Sequence, residues 1–323
     1  MSLSGLAPTV EAEFQLAAKD EESLEHGRQA LEALGLQRVL KQNPFTLSGG
    51  EQVVVAIVAA SLCRPKHLAI DCALEQLASD TRSSLFEWLQ QRDGVAIIAD
   101  NRLDEWHTGP VERIVSEEEA PHIVSKLPQG LAPEPVEIEL VDLTFGYTAN
   151  RLIFDGLNLT FEAGQSHHLR GPNGAGKTTL SKLLSGLLKP QGGEIRVNGQ
   201  RVEPWRTPGR HVSFHFQNPT YQLFARTVRA QLKDANDPAS AARDLGLGSK
   251  ASGDHPLDLP FVLRKRLALG AALYRGIHFL IADEPTLGQD RREAASICRL
   301  LGHFGGLRIS HSRLFDHLQP VTL

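Results

Sequence analysis

Over residues 177–188 the apolar side chains fall at Leu180, Leu183, Leu184, Leu187 and Leu188. This i, i+3, i+4, i+7, i+8 spacing predicts a helix with one buried face. Immediately before it, residues 166–169 read as a short strand running into a glycine-rich turn, and residues 136–145 read as a strand-rich opening. Strand, glycine turn and helix in succession predict an α/β architecture. Two further apolar strands end in acidic residues, one at Asp71 and one, Phe279–Asp283, running into Glu284. The longest nearly unbroken apolar run, 53–63, has 11 residues (63 − 53 + 1). Crossing a bilayer takes about 18 to 20, so any membrane contact is expected to be peripheral.

The pattern also repeats. Ser48 to Asp71 spans 23 positions, as does Pro260 to Asp283, a common offset of 212 (260 − 48 and 283 − 71). Farther upstream, Ala7-Pro8-Thr9-Val10 parallels Ala225-Arg226-Thr227-Val228 at an offset of 218 (225 − 7). Met1 then falls opposite Pro219, and if the second copy starts near Glu137, 82 residues (219 − 137) have no counterpart at the front of the first. The strands at 68–71 and 95–99 are therefore expected to have unpaired edges unless something else covers them. Between the copies, Glu117-Glu118-Glu119 and the prolines 121, 128, 133 and 135 mark a linker. The expected organisation is an incomplete unit over 1–120, a linker over 121–135 and a complete unit over 136–323.

Composition narrows the function classes. The chain has 323 residues, 41% hydrophobic and 22% charged, with a formal net charge of −4. No bulk positive field exists to hold a nucleic-acid backbone, so no nucleic-acid partner is expected. The first residues lack the basic head and apolar stretch of a secretory signal. Three separated cysteines, Cys63, Cys72 and Cys298, suggest neither a disulfide framework nor a zinc site, and a cytoplasmic location is expected.

Gly171-Pro172-Asn173-Gly174-Ala175-Gly176-Lys177-Thr178 fits G-x-x-x-x-G-K-[ST]. In such a loop the backbone N–H groups point inward around a triphosphate, the helix opening at Lys177 adds its positive end, the lysine reaches the outer phosphates and the threonine hydroxyl ligates Mg²⁺. Asn173, Gly174, Ala175, Gly176, Lys177, Thr178 and Thr179 are thus the expected phosphate cradle. At the end of the apolar strand, Asp283 suits the Mg²⁺ shell and Glu284 suits activation of the attacking water. His311, at the end of another short strand, suits a γ-phosphate contact. Arg264-Lys265-Arg266 reads as a solvated basic turn. Adjacent His167 and His168 face opposite sides of a strand and do not share a metal.

With these residues in place the chain resembles the ATP-binding cassette (ABC) ATPases over nearly its whole length. The resemblance implies a P-loop cassette with a parallel sheet core, a helical subdomain and N-terminal antiparallel strands, preceded by a partial second cassette. It implies that Tyr147 stacks on adenine, that Gln217 is the glutamine that reaches the metal and catalytic water, that Asp290 is the aspartate following the catalytic glutamate, and that His311 is the switch histidine. Leu47-Ser48-Gly49-Gly50-Glu51 resembles the family's signature motif, an N-capped helix start whose Ser48 hydroxyl and glycine amides face a γ-phosphate held by another cassette. The stretch 216–224, Phe-Gln-Asn-Pro-Thr-Tyr-Gln-Leu-Phe, is similar to that of the coupling ATPases of energy-coupling factor transporters. ATP and Mg²⁺ are then the implied cofactors, transmembrane transporter subunits and a second ABC subunit or copy the implied partners, and the inner membrane face the implied place.

The two copies have complementary defects. In the second, the signature slot holds Leu259-Pro260-Phe261-Val262-Leu263, without the serine hydroxyl, one amide donor or the small residues. In the first, Cys72 stands opposite Glu284, Ala78 where the aspartate belongs and Asp100 near the histidine position, and no P-loop precedes them. One competent site per chain is expected, built from the second copy's P-loop, Glu284 and His311 with the first copy's Ser48 and glycines. The alternatives are a non-transport ABC ATPase and a nucleotide-binding but inactive regulatory remnant.

Overall fold

The computed structural model describes residues 7–71, 74, 77, 79–100, 123, 134–148, 151–171, 174–248, 251–275, 279–310 and 312–323. Its chain divides into two compact units, Met1–Glu112 and Arg113–Leu323. Most of the expected linker, the acidic run at 117–119 included, lies outside the described residues. Ile123 is described: it is buried in the second unit, where its N–H donates to Glu293 at 3.0 Å.

In the first unit, α1 (Val10–Ala17) and α2 (Glu21–Ala33) start at Thr9 and Asp20, whose side chains accept from the first-turn backbone. They pack on α3 (Gly49–Ser61), with Val10, Phe14, Leu31, Val54 and Val58 fully buried among them. Gly27 permits this closeness, since a β-carbon there would lie 2.9 Å from the Phe14 ring. β1 (His67–Asp71), α4 (Ser79–Gln91) and β2 (Val95–Ala99) complete the unit. Leu68 and Ile70 face the helices, and β1 pairs with β2 in parallel, Ala69 opposite Ile97. Among the described residues these two strands pair only with each other, and on their other face Val95 and Ile97 are 52% and 57% exposed. That is unusual for parallel strands, which are normally covered on both faces.

The second unit opens with two long antiparallel strands, β3 (Ile138–Thr148) and β4 (Arg151–Phe161). β5 (Ser166–Arg170) leads to α5 (Lys177–Leu184), followed by β6 (Gly192–Val197), β7 (Gln200–Val202) and β8 (Val212–His215). A helical stretch follows, of α6 (Val228–Gln231), α7 (Pro238–Asp244) and α8 (Phe261–Leu273). The chain then returns through β9 (Phe279–Asp283), α9 (Arg291–Leu301), β10 (Gly306–Ile309) and β11 (Gln319–Thr322). An antiparallel sheet of order β4-β3-β6-β7 and a parallel sheet of order β11-β5-β10-β9-β8 result. β9 is buried along its whole length: Phe279 and Ile281 join the core shared with the antiparallel sheet and α5, while Leu280 and Ala282 join the core of α8 and α9. Mixed parallel and antiparallel sheets with flanking helices are the α/β architecture expected.

The repeat extends to the order and spacing of elements. α3 and α8 have 13 residues each and start 212 apart (261 − 49), and α4 and α9 start 212 apart as well (291 − 79). β1 pairs with β2 in parallel as β9 pairs with β10, although the partner of Ile281 is Leu307, two positions short of the 212 offset from Ile97.

One expected element is shorter than its pattern. α5 ends at Leu184, and Leu187 is 49% exposed rather than buried on a helical face. The cause is Gly186, at φ 80°, where a β-carbon would lie 2.2 Å from the Pro204 carbonyl. The Leu187 N–H turns back to the Lys182 carbonyl at 2.8 Å, closing the helix.

Candidate nucleotide site

β5 delivers the chain to Gly171, and α5 carries it away from Lys177. Between them Gly171, Gly174 and Gly176 all adopt positive φ, at 151°, 85° and 98°, a region that β-carbon-bearing residues rarely enter. At Gly176, the N-cap of α5, a β-carbon would meet Ile153 Cγ2 at 2.7 Å. The Lys177 Nζ donates to the Gly171 carbonyl at 2.7 Å, so the ammonium spans the loop. Burial lowers the Lys177 pKa, and the charges of Asp283 and Glu284 oppose that shift. Thr178 is exposed on the first turn, whereas Thr179 is buried with its hydroxyl 3.4 Å from that of Tyr147. Tyr147 packs edge-on against Phe145 and is 59% exposed, leaving its ring open to a stacking partner. Ala175 is half-buried in the loop. Asn173 lies outside the described residues, as does His311.

The buried end of β9 brings the acidic pair to the same region. Burial first, and then the neighbouring Glu284 charge, push the Asp283 carboxyl up to about 7, against the pull of Lys265, Lys177 and Lys182. Glu284 leaves the strand at φ 43°, a left-handed conformation that costs a non-glycine residue about 1 to 3 kcal/mol. Its N–H donates to the Ile309 carbonyl at 2.8 Å, its Oε2 accepts from the Ser310 hydroxyl at 2.8 Å, and its carbonyl accepts from the Lys265 Nζ at 2.6 Å and the Leu287 N–H at 3.2 Å. Gln217, half-buried just past β8, shares that ammonium through its own carbonyl at 3.1 Å. Asp290 caps α9, accepting from the Glu293 N–H at 2.9 Å.

A second chain of contacts reaches Ser310 from β5. Arg170 pairs with Asp316 at 2.5 Å and donates from Nε to His168 Nδ1 at 3.2 Å. An arginine only donates, so the His168 proton sits on Nε2, which donates to the Ser310 carbonyl at 2.9 Å. The two histidines do part to different surroundings, His167 packing edge-on against Phe161.

The basic triplet is not a solvated turn. It lies inside α8, with Lys265 and Arg266 only 1% and 4% exposed. Arg266 bonds the Gln289 side chain at 3.0 Å and pairs with Glu293 at 3.2 Å, and that carboxylate also accepts from Ile123. The charges are buried because each meets a fixed acceptor.

In the first unit, Ser48 caps α3 in a full capping box. The Glu51 N–H donates to its hydroxyl at 3.4 Å, and Glu51 Oε2 accepts from the Ser48 backbone N–H and hydroxyl, both at 2.8 Å. Burial raises the Glu51 pKa, but these bonds and the Arg38 guanidinium outweigh it and leave the carboxyl below its ordinary value. Gly49 is half-buried and Gly50 buried at the same helix start. In the second unit Pro260 takes the corresponding N-cap with no side-chain bond, and Phe261 follows it. The repeat is thus retained as a helix while its capping chemistry is lost.

The sequence points to the glycine loop, the acidic pair and Tyr147, whereas Ser310, His168 and Lys265 enter only through folded contacts. The one signal for Lys265 is its place in a basic triplet that continues into the apolar run 267–273.

A family model described as ABC transporter matches residues 154–287. The energy-coupling factor transporter ATP-binding protein EcfA of Methanothermobacter thermautotrophicus is 33% identical over 51% of this chain and 58% of its own. The provisionally named HMP/thiamine import ATP-binding protein YkoD of Bacillus subtilis is 25% identical over 87% of this chain and 63% of its own. A provisionally named ABC transporter ATP-binding protein of Pyrococcus furiosus is 31% identical over 51% of this chain and 68% of its own. The chain thus spans little more than half the length of EcfA. With its glycine loop, its acidic strand end and these relatives, the chain belongs to the ABC transporter ATP-binding protein family.

Proposed function

We propose that the chain is an ATP-hydrolysing subunit that energises a membrane importer, of the energy-coupling factor type. The observation that carries this reading is the placement of Glu284: it follows the strand whose Asp283 charge acts on Lys177, and its carboxylate is held by Ser310. Adenine stacks on Tyr147, and the loop amides from Asn173 to Lys177 receive the phosphates. Lys177 exchanges its Gly171 carbonyl for the outer phosphates, and Glu284 takes a proton from the attacking water. Thr178, Gln217 and Asp283 offer a hydroxyl, a carboxamide and a carboxylate, oxygen donors that suit Mg²⁺. Bound there, the ion would neutralise phosphate charge. His311 contacts the γ-phosphate.

Ser48, Gly49, Gly50 and Glu51 form the lid that closes on a nucleotide held by a P-loop, in the same chain or in a second copy. Past Gln217, the side chains of Tyr221 and Phe224 are 66% and 83% exposed, an aromatic pair that suits contact with a transmembrane subunit. Among the described residues no helix is long and apolar enough to cross a membrane. The name of EcfA supports the energy-coupling factor assignment. The test is Mg²⁺-dependent ATPase activity of the full chain beside Glu284→Gln. As a general base, the glutamate's removal lowers turnover by about 10² to 10⁴ and spares nucleotide binding. Equal turnover in the two proteins refutes the assignment.

A further inference from the structure

We propose that Lys265 is a positioning residue that locks the Gln217 loop to Glu284, so that the glutamate is held for catalysis only while that loop stays in place. The inference rests on the ATPase reading above. Lys265 lies on the second turn of α8, a helix that otherwise contributes packing and a degenerate signature slot. Its ammonium donates at once to the Gln217 carbonyl at 3.1 Å and the Glu284 carbonyl at 2.6 Å. These two acceptors belong to separate segments, the loop after β8 and the turn after β9. Within its own turn the Glu284 carbonyl also accepts from the Leu287 N–H at 3.2 Å, but that bond does not reach the Gln217 loop, whereas the ammonium does.

Two observations make this more than a satisfied buried lysine. Glu284 is in the left-handed region at φ 43°, and there its carbonyl meets the Lys265 ammonium more closely, at 2.6 Å, than the Leu287 N–H at 3.2 Å. Lys265 is also 1% exposed, at a depth where an ammonium is tolerated only if compensated. The two carbonyls and the neighbouring Asp283 carboxylate provide that compensation. A shift of the Gln217 loop therefore either drags the Glu284 turn with it or breaks one of the two bonds. Either way the turn that carries the Glu284 carboxylate loses its tie to the Gln217 loop or is displaced with it, although the Ser310 bond is untouched. α8 has lost the chemistry of a signature helix and acts here as the carrier of this link.

The experiment uses the full chain with Lys265→Met and Lys265→Gln. It reads kcat for Mg²⁺-ATP, affinity for a fluorescent ATP analogue, the thermal midpoint, and amide hydrogen exchange at 216–222 and 284–289. The Met variant is expected to lose at least about tenfold in kcat while affinity stays within about threefold of wild type. Exchange should quicken in both segments together. Gln, which still donates from its carboxamide, should recover part of both effects. Wild-type kcat with unchanged exchange in the Met variant overturns the proposal. So does a loss of rate that merely tracks lost affinity and a lowered midpoint. If the Met variant fails to fold, the Gln variant decides alone: slower turnover at retained affinity supports the link, and wild-type turnover overturns it. If the wild-type chain hydrolyses no ATP, the ATPase reading fails on that result; the exchange data still judge the lock, coupled quickening supporting it and unchanged exchange overturning it.

Discussion

The Ser310 hydroxyl donates to Glu284 Oε2 at 2.8 Å. A bond to a carboxylate of this kind contributes about 1.5 to 3 kcal/mol, and it fixes the orientation of the carboxylate. Ser310→Ala is therefore expected to lower kcat by about 10- to 100-fold, each 1.4 kcal/mol being tenfold, with ATP affinity unchanged. Steady-state kinetics beside a nucleotide-binding titration checks this. A variant with wild-type kcat would show that the bond is incidental.

Asp283 predicts a pH effect on the free chain. Its carboxyl titrates at about 7 in the folded state and at about 3.9 when unfolded. Between these values the native state binds more protons than the unfolded state, so this residue's contribution to stability falls as pH rises from about 4 to about 7 and is flat above. His215 works the other way, since burial holds its pKa well below the ordinary value. The useful quantity is thus the difference between wild type and Asp283→Asn. Urea unfolding at pH 5 and pH 8 should show the wild type losing on the order of 1 to 4 kcal/mol more than the variant over this interval. An equal change in both proteins would contradict the assigned shift.

The Arg266–Glu293 pair, 3.2 Å apart and almost fully buried, predicts a large stability effect. Burial lowers the Arg266 pKa while the Glu293 and Asp290 charges sustain it. Glu293→Ala leaves a guanidinium and the Ile123 N–H without that carboxylate, a loss of about 3 to 5 kcal/mol. Double replacement with apolar residues of similar size should recover much of it. Thermal unfolding of the three proteins tests this, and a Glu293→Ala midpoint equal to wild type would count against it.

How far the site could be read in advance depends on whether a residue's role is written in its own neighbourhood. Gly171, Gly174 and Gly176 are legible because a loop closing on phosphate needs positive φ at fixed offsets, and all three adopt it. Asp283 and Glu284 were legible because an apolar strand ends in them. Lys265 was not, since a lysine flanked by two arginines reads as solvent-facing until the acceptors on β8's and β9's exits are folded over it. His168 was likewise set aside, its part depending on Arg170 and Ser310 across two strands. Leu187 erred in the other direction: its spacing fits the α5 face, but Gly186 stops the helix before it. Periodicity marks which residues an element would bury, and tertiary contacts decide where the element ends.

The proposed complementarity of the two halves rests on Ser48, the capped start of α3, against Pro260 at the same place in the repeat. The decisive measurement is Mg²⁺-dependent ATP turnover by the full chain carrying Ser48→Arg. With every residue of the P-loop and the acidic strand end intact, turnover is expected to fall by at least about 10²-fold, the scale of losing a preorganised contact to transition-state charge, while a fluorescent ATP analogue still binds. Turnover at the wild-type rate would mean that Ser48 covers no nucleotide and that the second unit hydrolyses ATP without the first.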